Sequence, residues 1–144
     1  MAQPYIYEQT LAVSLSVPAN TPAGTLLQAD IVVNPFTGVT AKEAVIPASQ
    51  SWYIMDVFIR ASDDVDVDAQ AIFLKNGVKQ LLITDPLSSL LISNPSRPRY
   101  PTVFYGPNDR LSIFVRTLAA TGSSAATITF YIKVRVVDTT FLGA

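Results

Sequence analysis

The sequence predicts an all-β fold, a two-sheet antiparallel sandwich of jelly-roll type with about eight strands. Apolar residues alternate with polar ones along most of the chain, which is the period of a half-buried strand. Turn signals rich in proline, glycine and asparagine divide these stretches at the spacing of roughly 8–12 residues that sandwiches show. An immunoglobulin-like sandwich is the second interpretation, although the cysteine pair usual in that fold is absent.

The first half of the chain contains four predicted extended segments. Leu11–Val17 alternates cleanly, Thr25–Val33 follows a turn with two prolines, and Glu43–Ile46 is a short piece before the next proline. Trp52–Ala61 is different, because large apolar side chains occupy both of its faces. This pattern predicts a central strand that is covered on both sides.

The second half begins with the clearest hairpin signal in the chain. Ala69–Lys75 and Val78–Ile83 flank Asn76-Gly77, and both turn residues accept the positive φ of a type I′ turn. Leu87–Ile92 fits either a strand or one helical turn. Asn94–Pro101 contains three prolines, so we expect a rigid extended loop without its own hydrogen-bond ladder.

Two long alternating strands are predicted near the C-terminus, Leu111–Thr117 and Thr127–Val137. One face of the second strand is entirely apolar, and such a face packs on a core. Residues 1–144 are expected to form one domain with short arms at 1–8 and 139–144. In the last strand we expect five side chains to be buried together: Ile128, Phe130, Ile132, Val134 and Val136.

Composition limits the chemistry that the chain supports. It has no cysteine and no histidine, which excludes disulfides and thiolate metal sites and removes the commonest general base near neutral pH. We therefore expect no enzymatic activity and no cofactor. Lysine and arginine number 10 against 11 aspartate and glutamate, so the charge balance gives no reason to expect direct nucleic-acid binding. No signal peptide or membrane-spanning apolar stretch occurs, and a soluble protein is expected.

Charged residues make up only 15% of the chain, whereas 49% of residues are hydrophobic. A free monomer of this size usually carries more surface charge. Two explanations remain open. Either the protein is a well-filled sandwich with a surface rich in serine and threonine, or neighbouring subunits cover much of its surface.

Acidic residues offer two candidate sites. Four aspartates in one loop are a weak calcium candidate, since Ca²⁺ prefers carboxylate oxygens: Asp63, Asp64, Asp66 and Asp68. Their spacing lacks the glycine and the later glutamate of an EF-hand loop, and a solvated loop is the alternative. Asp56 lies within an apolar strand, but no second carboxylate is singled out as its partner for glycosidase chemistry. We expect Arg60 or a turn backbone to satisfy Asp56.

Aromatic side chains and arginines concentrate in two segments, Trp52-Tyr53 and Arg97–Arg110. Such side chains fill cores, form protein–protein contacts or make a platform for sugars, and the sequence leaves the three open. The sugar platform would consist of Trp52, Tyr53, Tyr100, Phe104 and Tyr105. For a protein contact we predict seven residues: Arg97, Arg99, Tyr100, Phe104, Tyr105, Phe141 and Leu142.

The short alternating strands from Leu11 to Asp138, the proline-rich loop, the low charge and the closing strand pair resemble the single jelly-roll capsid or vertex proteins of icosahedral viruses of bacteria or archaea. The resemblance is one of architecture and assigns no role to individual residues. It implies a structural protein of the virion, a capsid, vertex or decoration subunit that assembles with copies of itself and other capsid proteins. Residues 1–8 lack the basic arm that meets the genome in many capsid subunits, which suits a lattice over a membrane or inner shell, or a minor subunit. A carbohydrate-binding, lectin-like module with a sugar ligand is the alternative function.

Overall fold

The computed structural model describes residues 5–63 and 65–140. Within these ranges the chain forms eleven β-strands and one 3₁₀ turn, Leu87–Leu90, and no α-helix. The all-β class and the two-sheet antiparallel sandwich are therefore confirmed. In chain order the strands are β1 (Tyr5–Val17), β2 (Leu26–Gln28), β3 (Asp30–Asn34), β4 (Val39–Ala41), β5 (Glu43–Val45), β6 (Gln50–Phe58), β7 (Ala69–Lys75), β8 (Val78–Leu82), β9 (Val103–Tyr105), β10 (Arg110–Thr117) and β11 (Ala126–Asp138).

The strands divide into two antiparallel sheets. The first sheet has the order β4-β3-β1-β11-β6-β9, and the second has the order β2-β10-β7-β8, with β5 also paired to β10. β1 and β11, of 13 residues each, are neighbours along their full length. Residues 5–8, which the sequence assigned to an arm, are the first part of β1 and pair with residues 135–138 of β11.

The hydrophobic core lies between the two sheets. The residues of β11 that were predicted to share a face are all fully buried: Ile128, Phe130, Ile132, Val134 and Val136. The second sheet contributes Phe73 from β7 and Leu111 and Ile113 from β10, which are fully buried as well. Because each strand buries every second side chain, the core is a layer between the sheets, and the loops collect at the two ends of the sandwich.

The predicted strand Thr25–Val33 is in fact two strands that lie in different sheets. β2 pairs with β10 in the second sheet, whereas β3 pairs with β1 in the first. The chain crosses between the sheets at Ala29, which is fully buried and donates its backbone N–H to the carbonyl of Ile113 at 2.9 Å. The alternation of apolar and polar residues continues through the crossing, so the hydrophobic pattern alone does not reveal it. The pairing of β3 with β4 was also not predicted.

A β-bulge in β6 corrects the prediction that this strand is covered on both sides. In β6, Ile54 pairs with Val134 of β11 and Asp56 pairs with Lys133, so Met55 between them is an extra residue without a partner in the register. A bulge changes which alternate residues of a strand face inward. Trp52 is therefore buried before the bulge and Val57 after it. Both faces look apolar in the sequence because the inward face changes at Met55.

Two local predictions are confirmed, and one open alternative is resolved. The Asn76-Gly77 turn joins β7 to β8 with positive φ at both residues, 51° and 81°. Residues 87–90 adopt the helical alternative as a 3₁₀ turn, and both of its leucines are buried. Residues 94–101 form no strand, as expected of the proline-rich loop.

Phe130→Ala tests the placement of the core. The side chain is fully buried, so its truncation leaves a cavity and should lower the free energy of unfolding by about 3–5 kcal/mol. Phe36→Ala is the matched control, because Phe36 is 97% exposed and its truncation should change stability by less than about 0.5 kcal/mol. Urea unfolding followed by the fluorescence of Trp52 measures both losses, and equal losses would contradict the assignment.

Candidate functional site

Arg97 fastens the proline-rich loop to its own subunit. Its guanidinium donates from Nη1 to Oδ1 of Asp56 at 2.9 Å and from Nη2 to Oδ2, which is a bidentate pair. Nη1 also donates to the carbonyl of Val57 at 3.2 Å. Only 6% of Arg97 is exposed. The residue therefore holds the loop against β6 and does not present its charge to a partner.

Asp56 is satisfied by Arg97 and not by Arg60, which corrects the expectation from sequence. The backbone N–H of Val57 also donates to Asp56, at 2.9 Å. Burial alone would raise the pKa of Asp56, but the hydrogen bonds and charge of Arg97 outweigh that effect and hold the pKa below its ordinary value. Arg60 lies instead over the ring of Tyr131, with its guanidinium carbon 4.3 Å from the ring centroid. Asp56 and Arg97 are 41 residues apart, so no local pattern links them.

Two tyrosines of the predicted contact set also bind within the subunit. Tyr100 donates its hydroxyl to Asp85 at 2.6 Å, and burial together with this carboxylate raises the pKa of Tyr100. Tyr105 is fully buried and donates to the carbonyl of Leu74 at 3.0 Å. Both side chains therefore stabilise the loop and β9 from inside the subunit.

Arg99 and Phe104 are the described members of the predicted contact set that face solvent. Phe104 packs against Tyr53 with ring centroids 5.1 Å apart, and the Lys75 ammonium lies 5.6 Å from the Phe104 ring centroid. Trp52, by contrast, is buried in the core. The aromatic residues that were considered as a sugar platform are thus divided between the interior and the surface.

The aspartate loop does not bring its described carboxylates together. Asp64 lies outside the described residues. Each of the others accepts a hydrogen bond from a different segment: Asp63 from the Arg60 N–H at 2.5 Å, Asp66 from the Thr127 N–H at 3.2 Å, and Asp68 from the Ser88 hydroxyl at 2.6 Å. Among the described residues, no group of three metal-ligating side chains could hold a metal ion. These three aspartates therefore lend the calcium prediction no support.

Sequence reasoning missed a groove at the end of the first sheet where β1 begins and β11 ends. Tyr5, Tyr7 and Gln9 lie on the same face of β1 as its buried residues, yet they are partly exposed. The inward face of β1 therefore extends beyond the residues that the rest of the protein buries. Two adjoining depressions of about 210 and 380 Å³ lie here. We call the larger one the terminal groove, and its lining is Tyr5, Tyr7, Gln9, Phe36 and Asp138. One feature of the sequence could have revealed the groove: the inward positions of β1 are aromatic or polar at residues 5, 7 and 9 and aliphatic from residue 11 onward.

The polar groups beside the terminal groove form a chain of hydrogen bonds. Trp52 donates from Nε1 to Gln50 at 2.8 Å, and Gln50 donates to Oδ2 of Asp138 at 2.9 Å. Oδ1 of Asp138 accepts from the backbone N–H and the hydroxyl of Thr140, at 2.8 and 2.5 Å. The contacts with Thr140 are the main reason that the pKa of Asp138 is lowered. The carboxylate is therefore satisfied within the subunit.

The C-terminal strand ends beside the same groove. Thr139 donates both its backbone N–H and its hydroxyl to the carbonyl of Ser49, each at 2.9 Å. Phe141 and Leu142, the last two members of the predicted contact set, lie outside the described residues. The described part of the chain thus ends at the rim of the terminal groove.

Comparison with known proteins identifies the family. Residues 2–143 match the family described as Sulfolobus polyhedral virus 1 major capsid protein VP4. The chain belongs to this family. One VP4 relative, the capsid protein VP4 of Sulfolobus polyhedral virus 1, is 32% identical over 142 residues, which covers 93% of this chain and 78% of the relative.

Membership of the VP4 family confirms the predicted structural role. The protein is a structural capsid protein, and its place is the virion. Assembly with copies of itself and with other capsid components follows from that role. Within residues 5–63 and 65–140, no helix is long and apolar enough to cross a membrane.

Asp56→Asn tests the fastening of the loop, because it leaves the Arg97 guanidinium buried without a charged partner. Removing one partner of a buried pair costs about 3–5 kcal/mol. Since the Asp56 side chain is 21% exposed, we expect the free energy of unfolding to fall by about 3 kcal/mol. Glu43→Gln is the control, because its exposed pair with Arg110 is worth about 0–1 kcal/mol. Chemical denaturation measures both, and a loss for Asp56→Asn no larger than the control's would disprove the fastening.

The same pair should make stability depend on acid. The folded pKa of Asp56 lies below its unfolded value of about 3.9, so its contribution is full above that pH and is lost as pH falls through the folded pKa. We expect wild type to lose more free energy of unfolding than Asp56→Asn between about pH 5 and pH 2. Glu8, Asp109 and Asp138 also have a lowered pKa, but both proteins contain them. Parallel curves of stability against pH would refute this expectation.

Proposed function

We propose that this chain is a shell-forming capsid subunit of its own virus, the role that the name major capsid protein gives its relative. The match to that family across residues 2–143 carries the proposal. A shell-forming subunit is present in many copies, so it needs surfaces that pack against copies of the same chain. A vertex or decoration subunit would differ in copy number and in partners.

The connectivity of the strands supports a jelly roll. Most connections pass from one sheet to the other, and β1 and β11 pair in the middle of the first sheet. β2 and β5 lie end to end on the same side of β10, at residues 114–116 and 110–112. They act as two halves of one strand, interrupted by an excursion at residues 29–42 that contains β3 and β4. If β2 and β5 are counted as one strand and β3 and β4 are left out of the count, each sheet has four strands. This is the arrangement of an eight-stranded jelly roll.

We propose that the whole chain forms one domain. Among the described residues, one cluster of buried apolar side chains draws on both sheets, from Leu11 in β1 to Val136 in β11. β1 already includes residues 5–8, so these residues do not form the predicted N-terminal arm. A C-terminal arm would follow Thr140.

The exposed part of the proline-rich loop and β9 is the first proposed contact with a neighbouring copy. Arg97 and Tyr100 hold this segment to the subunit, so little conformational entropy remains to be lost on binding. Arg99 and Phe104 stay exposed on it, and arginine and aromatic side chains are typical of interface hot spots. The other predicted contact would involve Phe141 and Leu142.

We propose no catalytic, nucleic-acid-binding or sugar-binding role. Four basic side chains of the described surface are paired with carboxylates: Lys42 with Asp30, Arg110 with Glu43, and both Lys133 and Arg135 with Glu8. Each of these pairs offsets a positive charge that a phosphate backbone would otherwise contact. Trp52 and Tyr105 are buried, so the aromatic residues offer no continuous platform to a sugar.

Self-association tests the proposed function. We expect light scattering after size-exclusion chromatography to detect dimers or larger species whose share rises with concentration. Arg99→Glu combined with Phe104→Ser should weaken this association by about tenfold or more, because both exposed anchors are lost while the core is untouched. Arg116→Glu combined with Leu118→Ser is the matched control, since it changes an exposed arginine and an exposed apolar residue elsewhere. A chain that remains monomeric at every concentration would exclude the shell-forming role and favour a vertex or decoration subunit.

A further inference from the structure

We infer that the terminal groove receives the C-terminal segment, residues 141–144, of a second copy of this chain. The inference rests on the proposed shell-forming role and identifies one contact that such a shell would use. Three features carry it: the chemistry of the groove, a phenylalanine held at its rim, and the point at which the C-terminal strand ends.

The terminal groove combines aromatic walls with the Asp138 carboxylate, whose two oxygens already have partners. Tyr5 and Tyr7 lie along it with ring centroids 5.3 Å apart. Gln50 bonds to Trp52 and Asp138, and the second oxygen of Asp138 bonds to Thr140. An apolar side chain that enters the groove therefore takes no hydrogen bond away from these groups. The volume of about 380 Å³ is larger than a phenylalanine side chain.

Phe36 stands at the rim of the groove in a firmly held loop. The side-chain oxygen of Asn34 accepts from the N–H groups of Phe36 and Thr37 at 3.0 and 3.3 Å, and its carbonyl accepts from the Gly38 N–H at 2.8 Å. Gly38 has a φ of 73°, a conformation that favours glycine. Phe36 is nevertheless 97% exposed. A partner seated on the groove would remove this large apolar surface from water.

The C-terminal segment begins at the mouth of the groove, because Thr140 is bonded to Asp138. Its sequence, Phe-Leu-Gly-Ala, is apolar. When two copies face each other across a two-fold axis at this end, each tail begins beside the partner's groove, and the same contact forms twice. An aromatic side chain buries about 150–250 Å². Covering Tyr5 and Phe36 and inserting Phe141, on both copies, would therefore bury roughly 1,000 Å², the area that a specific contact needs.

The absence of cysteine allows a direct test, since two introduced thiols are the only ones in the sample. Gln9→Cys places a thiol in the groove, and Leu142→Cys places one on the tail. We expect an oxidised mixture of the two variants to give a disulfide-linked dimer, at twice 15.6 kDa on a non-reducing gel, and each variant alone to give much less. Leu118→Cys mixed with Leu142→Cys is the control, because Leu118 is exposed at the opposite end of the sandwich.

Deletion of residues 141–144 and, separately, Phe36→Ser give a second readout. Each change should lower the self-association constant, measured by analytical ultracentrifugation, by about tenfold or more. The far-ultraviolet circular dichroism spectrum should stay unchanged. A disulfide that forms only within a single chain carrying both cysteines would show that the tail occupies its own groove, and would overturn the inference. Self-association of wild type without the mixed disulfide would also overturn it while leaving the shell-forming role intact. A wild-type protein that is monomeric at every concentration would overturn both.

Discussion

The pairing of β1 with β11 is the constraint on which the rest of the structure depends. The two strands come from opposite ends of the chain and lie side by side for 13 residues in the middle of the first sheet. β3 pairs with β1 and β6 pairs with β11, so the first sheet becomes continuous only when β1 and β11 have paired. Closing nearly the whole chain into one contact is entropically costly and makes folding slow. The same pairing brings the start of β1 and the end of β11 to one end of the sandwich.

Features that depend on a few neighbouring residues were predictable from the sequence. The Asn76-Gly77 turn has a conformational requirement of its own, and the apolar face of β11 alternates without interruption. The crossing at Ala29 and the bulge at Met55 could not be predicted in the same way, because neither is marked by a proline or a glycine in the sequence. In each case the strand partner decides which sheet or face a residue joins, and the partner is distant in sequence.

The candidate site was predictable as a segment but not in its orientation. Composition identified the proline-rich loop and β9, yet it could not distinguish Arg97, which turns inward, from Arg99, which remains exposed. The difference is made by Asp56, 41 residues earlier in the chain. The terminal groove escaped prediction for the same reason, because β1, β11 and the loop that carries Phe36 meet there only in the folded protein.

The short outer strands restrict how copies of this chain can join. β4 and β9, at the two edges of the first sheet, have three residues each. Long free edges pair with any other exposed edge, whereas three residues offer few unpaired N–H and C=O groups. In the second sheet the outer side of β10 is covered by β2 and β5, and the opposite edge, β8, carries Lys79, a charge of the kind that discourages edge pairing. We therefore expect contacts between copies to use side chains, on the loops, on β9 and at the ends of the sandwich, more than backbone pairing of strand edges.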